Sequence, residues 1–312
     1  MSNLVLIFLC LFLGILVKRT GRFPLNTAQA LNSFIIFISL PSLVLIQVTR
    51  LLQTAQLSWS LLVPVSMAWL LFGGAWASIH YIGKKRGWSS ARTGALILTA
   101  GLGNTSFVGF PLLEAMLGKE AVPWGVLVDQ LGSFLVLSTL GLLVGSIYGR
   151  PRDGVKRTVL KQVFQFPPFL ALISALILGS VGFVFTGIAD TVLVRLGDTL
   201  VPLALVAVGF QLKVSLPILK RYGRPLTLGL FYKLILAPAL LSLLYIGVFG
   251  FTDFVTRVTL LEAAMATMIT SAVIASEFSL DEELANLMVG VSIPISLFTV
   301  PMWLELINLF MI

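Results

Sequence analysis

Charge is scarce in this 312-residue chain: Asp, Glu, Lys and Arg together make up 11% of it, against about 25% in a typical soluble domain. With 58% of residues hydrophobic, that scarcity excludes a water-soluble globule and implies an integral membrane protein. Cysteine and histidine are scarcer still, with one of each, Cys10 and His80. One cysteine excludes an internal disulfide, and the two counts together exclude Cys/His zinc sites and two-histidine metalloprotease motifs. No metal and no cofactor are expected. Acidic residues are the minority sign, 13 against 21 basic, for a net charge of +8. That balance does not imply nucleic acid, because the basic residues gather in short loops between apolar spans.

A membrane span needs about 20 predominantly apolar residues, and ten segments fit: 3–17, 27–47, 59–82, 93–117, 123–147, 163–186, 198–212, 226–249, 256–276 and 284–310. The first is preceded by no basic residue and is followed by Lys18, Arg19 and Arg22, the arrangement of an uncleaved span rather than of a signal peptide. Basic residues also crowd the third loop (Lys84, Lys85, Arg86, Arg92), the fifth (Arg150, Arg152, Lys156, Arg157, Lys161) and the seventh (Lys213, Lys220, Arg221, Arg224). The even loops hold few, Arg50, Lys119, Arg195 and Arg257. Positive charge stays in the cytoplasm, so the odd loops are expected inside and both termini outside. The ninth loop departs from the pattern with Glu277, Asp281, Glu282 and Glu283, although acidic residues count little in this rule.

The fourth span is interrupted by Gly101-Leu102-Gly103-Asn104-Thr105-Ser106-Phe107-Val108-Gly109-Phe110-Pro111. Backbone groups freed by such a break need partners that lipid does not supply, so the segment belongs inside protein or beside a hydrated cavity. Broken helices of this kind build the midplane sites of secondary transporters. The two halves of the chain also echo each other. Leu11-Phe12-Leu13-Gly14 matches Leu176-Ile177-Leu178-Gly179, Pro41 matches Pro202, and Thr105-Ser106-Phe107-Val108 matches Thr270-Ser271-Ala272-Val273, at offsets of 165, 161 and 165. Two halves of five spans each must be oppositely oriented. The expected fold is therefore an all-α membrane protein, a 5+5 inverted repeat of residues 1–162 and 163–312, with broken helices 4 and 9 crossing.

Gly103-Asn104-Thr105-Ser106-Phe107-Val108-Gly109-Phe110-Pro111 resembles the fourth-helix motif of the auxin efflux carrier family, bacterial membrane transporters related to plant auxin carriers. Pro167-Pro168, Pro202 through Gly209, and Lys233 with Pro238 support the resemblance, which covers nearly the whole chain. The ninth span departs from it: Ala264-Met265-Ala266-Thr267-Met268-Ile269-Thr270 has Ala266 where members carry a proline and Thr270 where they carry an amide. A less sharply broken crossover, with hydroxyl ligands, is expected there. The resemblance implies a fold shared with bile acid:sodium symporters, with a scaffold from 1–57 and 163–224 and a transport core from 58–150 and 226–312. It further implies small organic anions as substrates, a homodimer through spans 2 and 7, and a place in the bacterial inner membrane.

The residues suggest how such an anion would be held. Half-helix N-termini present unpaired N–H groups and partial positive charge. Asn104, Thr105 and Ser106 in one half, and Thr267, Thr270 and Ser271 in the other, offer side-chain donors, and Pro111 removes a backbone donor. The alternative is that these groups only satisfy each other between packed helices. Ionisable residues within spans are candidates by default: Lys233 to pair a carboxylate, unless it snorkels to the interface, and Asp129 and Glu262 for proton or cation coupling. Asp129 could equally be an interfacial cap, and Glu262 could pair with Arg257. An intramembrane serine protease lacks its base, since His80 lies at the far edge of span 3 from Ser106, so no enzyme is expected. A sodium-coupled symporter of the bile acid type and an anion channel-like pore remain as alternatives to a carrier coupled to protons or to nothing.

Overall fold

A computed structural model describes residues 2–24, 26–54, 62–150, 165–211, 219 and 221–311. These form twelve helical stretches, with no strand among the described residues. They are α1 (Ser2–Arg19), α2 (Thr27–Gln53), α3 (Leu62–Lys85), α4 (Ser90–Gly101), α5 (Thr105–Leu117), α6 (Lys119–Tyr148), α7 (Pro167–Ser180), α8 (Gly187–Gln211), α9 (Gly223–Val248), α10 (Phe254–Ala263), α11 (Ile269–Glu277) and α12 (Glu282–Phe310). Six of them, α2, α3, α6, α8, α9 and α12, are long and apolar enough to cross a membrane.

The seventh span is longer than its apolar run. It starts at Gly187, so Arg195, read as a loop residue, lies in a helix, and only a turn at Thr199 marks the Asp198 boundary. Asp190 makes the early start tolerable by pairing with Arg50 of α2. The boundary at 162 and most basic residues of the fifth loop lie outside the described residues, as do Lys213 and Lys220.

The chain divides into two compact units. The first comprises Met1–Ser58, Ser106–Val126 and Leu160–Leu212. Its α1 and α8 pack at glycines: a Cβ on Gly14 would overlap the Val206 carbonyl, and one on Gly209 the Leu11 carbonyl. Small residues are the usual means of bringing membrane helices this close. Ser39 and Thr199, next to the paired prolines of the repeat, share a hydroxyl–hydroxyl hydrogen bond of 2.7 Å.

The second unit comprises Trp59–Thr105, Leu127–Val159 and Lys213–Ile312. Its apolar core runs along α3, α4, α9 and α12 and includes Phe72, Leu96, Tyr232 and Met288. At one end three odd-numbered loops meet. Tyr222 O–H donates to Asp281 (2.9 Å) and Glu283 (3.0 Å), Arg92 pairs with Asp281, and Arg221 pairs with Glu283. Burial, and then these two bonds, push the Tyr222 phenol up to about 12. The acidic ninth loop is thereby explained: it neutralises its basic neighbours.

Candidate functional site

α4 begins at Ser89, whose side chain accepts from Arg92 N–H at 3.3 Å, a normal N-cap. It stops where Leu102 turns extended (φ −115°, ψ 127°). Glycines at 101 and 103 weaken the helix here, and Gly101 is held against Phe72, to which an added Cβ would come within 2.8 Å. The helix resumes at Thr105 with a wide π turn through Gly109. Pro111 is buried in the turn that follows, where its missing N–H costs little. The break thus lies at 102–104 and not at the proline.

The ninth span breaks just as fully, contrary to the expectation from its missing proline. α10 ends at Ala263, residues 264–268 leave the helix, and α11 starts at Ile269. The cause is tertiary. Gly103 and Thr267 form an antiparallel bridge. Asn104 N–H donates to Ala266 C=O at 2.7 Å, and Met268 N–H donates to Leu102 C=O at 3.0 Å. Each break therefore satisfies backbone groups of the other, which answers the demand that a non-lipid-exposed break imposes.

Around this bridge the second unit gathers six of the sequence candidates. Asn104, Thr105, Asp129, Lys233, Glu262 and Thr267 are all at most 3% exposed. Thr105 O–H donates to Asp129 at 2.5 Å, and the Gln130 amide donates to the other Asp129 oxygen at 2.7 Å. Asp129 is therefore no interfacial cap. Its carboxylate sits against the residue that opens α5, where negative charge is favoured. Lys233 does not snorkel: it is 0% exposed, and its Nζ donates to Ala263 C=O at 2.9 Å. A Cβ on Gly103 would lie 3.2 Å from that Nζ. Glu262 faces inward without an ion pair to Arg257, and neither carboxylate oxygen has a hydrogen-bond partner among the described residues.

The other candidates separate from this cluster. Ser106 and Pro111 are buried in the first unit. Ser271 is buried in α11, but its hydroxyl donates back to Met268 C=O at 2.6 Å, whereas Thr270 is exposed. One contributor escaped the sequence reading: Ser292 of α12 accepts from Thr267 N–H at 3.0 Å. Its partner Thr267 lies 25 residues away, so no local sequence signal marks Ser292.

Asp129, Lys233 and Thr105 all sit in π-helical turns, local widenings that recur at functional sites. Among the described residues no group of three metal-binding side chains exists.

A sequence profile of the membrane transport protein family matches residues 1–149 and 150–304. The chain belongs to this family, that of the auxin efflux carriers. An uncharacterized transporter of Methanothermobacter thermautotrophicus is 30% identical over 305 residues, spanning 97% of this chain and 95% of the relative. An uncharacterized transporter of Methanocaldococcus jannaschii is 26% identical over 318 residues, spanning 97% of each. The family and the names of these relatives point to transport rather than to catalysis, and with several apolar helices the chain is a multi-pass membrane protein.

Proposed function

We propose that this membrane transport protein is a secondary carrier that moves a small organic anion, a carboxylate or auxin-like weak acid, by alternating access. The observation that carries this reading is the pairing of two helix breaks, Gly103 to Thr267, deep in an apolar unit. Half-helix N-termini and buried donors meet there, the usual surroundings of a transported anion. Asn104 and Thr105 supply polar side chains from the fourth span and Thr267 from the ninth. Lys233 is the positive charge of the site. Asp129 and Glu262 are the groups open to coupling.

Several finer features belong to the same proposal. The 5+5 inverted repeat is supported by contacts between residues close to one repeat apart, Ser39 with Thr199 at a separation of 160 and Gly103 with Thr267 near the same spacing. Residues 58–150 and 226–312 form the transport core and 1–57 and 163–224 the scaffold. The carrier is a homodimer in the plasma membrane with both termini outside.

Counterflow in proteoliposomes tests the reading, with labelled malonate, malate and indole-acetate. A carrier shows exchange accelerated by unlabelled acid on the far side. A pore passes the acid without such acceleration, and no exchange of any acid by folded protein removes organic anions as the substrate class.

A further inference from the structure

Two half-helices, α4 and α10, point their carboxyl ends at the crossover, at Gly101 and Ala263. Each such end carries a partial negative charge of about half a unit. In carriers built from discontinuous helices, ends of this kind together with unwound carbonyls coordinate the coupling sodium ion. Here that place is taken. Lys233 Nζ is bonded to the last carbonyl of α10, Ala263, at 2.9 Å, and rests against Gly103 in the opposite break.

Two neighbouring residues offer oxygen atoms of the kind a hard cation uses. Glu262 acts electrostatically on Lys233, and Thr267 pairs with the Gly103 that Lys233 rests against; Thr267 Oγ1 and both Glu262 oxygens are buried and have no hydrogen-bond partner among the described residues. The charged groups that face Glu262 from the elements packed on it are Lys233 of α9 and Asp129 of α6. With one lysine and two carboxylates the cluster holds one negative charge too many. Asp129 accepts two hydrogen bonds as a carboxylate should, whereas Glu262 accepts none. A buried carboxylate left without donors is the member that takes the balancing proton.

We propose that Lys233 is a tethered cation standing where a coupling sodium ion would sit, and that Glu262 carries a coupling proton instead. Transport is then independent of sodium and responsive to a pH gradient. The proton step is a simple one: an O–H bond forms on Glu262 with a proton from water on one side and breaks to return it to water on the other, with no electron transfer. This rests on the carrier reading above and singles out Glu262 over Asp129.

The test uses the full-length protein in proteoliposomes and whichever of the three acids it exchanges. Wild-type exchange should be the same in choline and in sodium buffer, a ratio near one, and net uptake should accelerate under an imposed pH gradient. Lys233→Ala should lose exchange in choline and regain it in sodium, because the vacated oxygen set then admits the free ion. In Glu262→Gln the ratio of gradient-driven uptake to exchange should fall to its value without a gradient, with thermal melting as the check on folding. A wild type that needs sodium, a Lys233→Ala protein that exchanges normally in choline, or a Glu262→Gln protein that still answers the gradient overturns the proposal. If Lys233→Ala does not fold, the wild-type ratio and Glu262→Gln decide. Absence of exchange with any acid in either buffer would instead sink the carrier reading.

Discussion

The two helix breaks reach the same geometry by different routes. The fourth-span break is written locally: glycines at 101 and 103 flank the extended Leu102, and the helix restarts on a wide turn before Pro111. The ninth-span break has no glycine and no proline between Ala263 and Ile269, five residues of fair to good helix formers. It is held open from outside, by the bridge to Gly103, by Lys233 on Ala263 C=O and by Ser292 on Thr267 N–H. One break is therefore a template and the other its imprint. A missing motif residue in the second half does not mean a missing feature when a partner segment can impose it.

If the first break is the template, damage there should spread furthest. Gly103→Val places a branched side chain against Lys233 Nζ and Glu262 C=O, which an added Cβ alone would approach to 3.2 and 3.5 Å. Overpacking at such a site costs about 1–3 kcal/mol, occasionally more. The expected outcome is loss of exchange and a clear fall in melting temperature in detergent; a protein that melts and exchanges as the wild type does would break the comparison.

Next in size is Ser292→Ala, which takes away one of the external supports of the imprinted break. It leaves a buried N–H at Thr267 without its acceptor, at about 1–3 kcal/mol. Thermal unfolding should show the loss, and hydrogen exchange should speed up over 264–268 more than over 102–104. Equal effects on the two breaks would mean that the first depends on the second as much as the reverse, and that neither is the template.

The smallest effect is expected from Ala266→Pro, which returns a proline to the second break. Ala266 is outside the helices, and its N–H makes no backbone hydrogen bond among the described residues. A proline there should change stability by no more than about 1 kcal/mol in either direction. A large loss would show that this break follows a different path from one shaped by proline.

The legibility of the sequence follows the same division. The fourth-span break could be read because glycine, an amide and proline are conspicuous in an apolar run, and the family resemblance rested on those residues. The candidates Asn104, Thr105, Asp129, Lys233, Glu262 and Thr267 were found by being polar or charged where lipid would not tolerate them. The depth of the ninth break, the start of α8 at Gly187 and the role of Ser292 were not legible. Each depends on a partner distant in the chain: Gly103 for Thr267, Arg50 for Asp190, and Thr267 N–H for Ser292. Apolar periodicity carries no information about such pairings. The acidic ninth loop was visible as an exception to the charge rule, but only Tyr222 and its two arginines explain why it is tolerated.

The most direct test of the crossover as the substrate site is Asn104→Ala. Its backbone N–H still reaches Ala266 C=O, so the paired breaks keep their geometry while the buried amide is lost. Counterflow of the exchanged acid, run beside a thermal melt of the same preparation, should show exchange reduced by about tenfold or more, equivalent to about 1.4 kcal/mol of lost interaction, with an unchanged melting temperature. Exchange at the wild-type rate by folded Asn104→Ala protein would contradict the account.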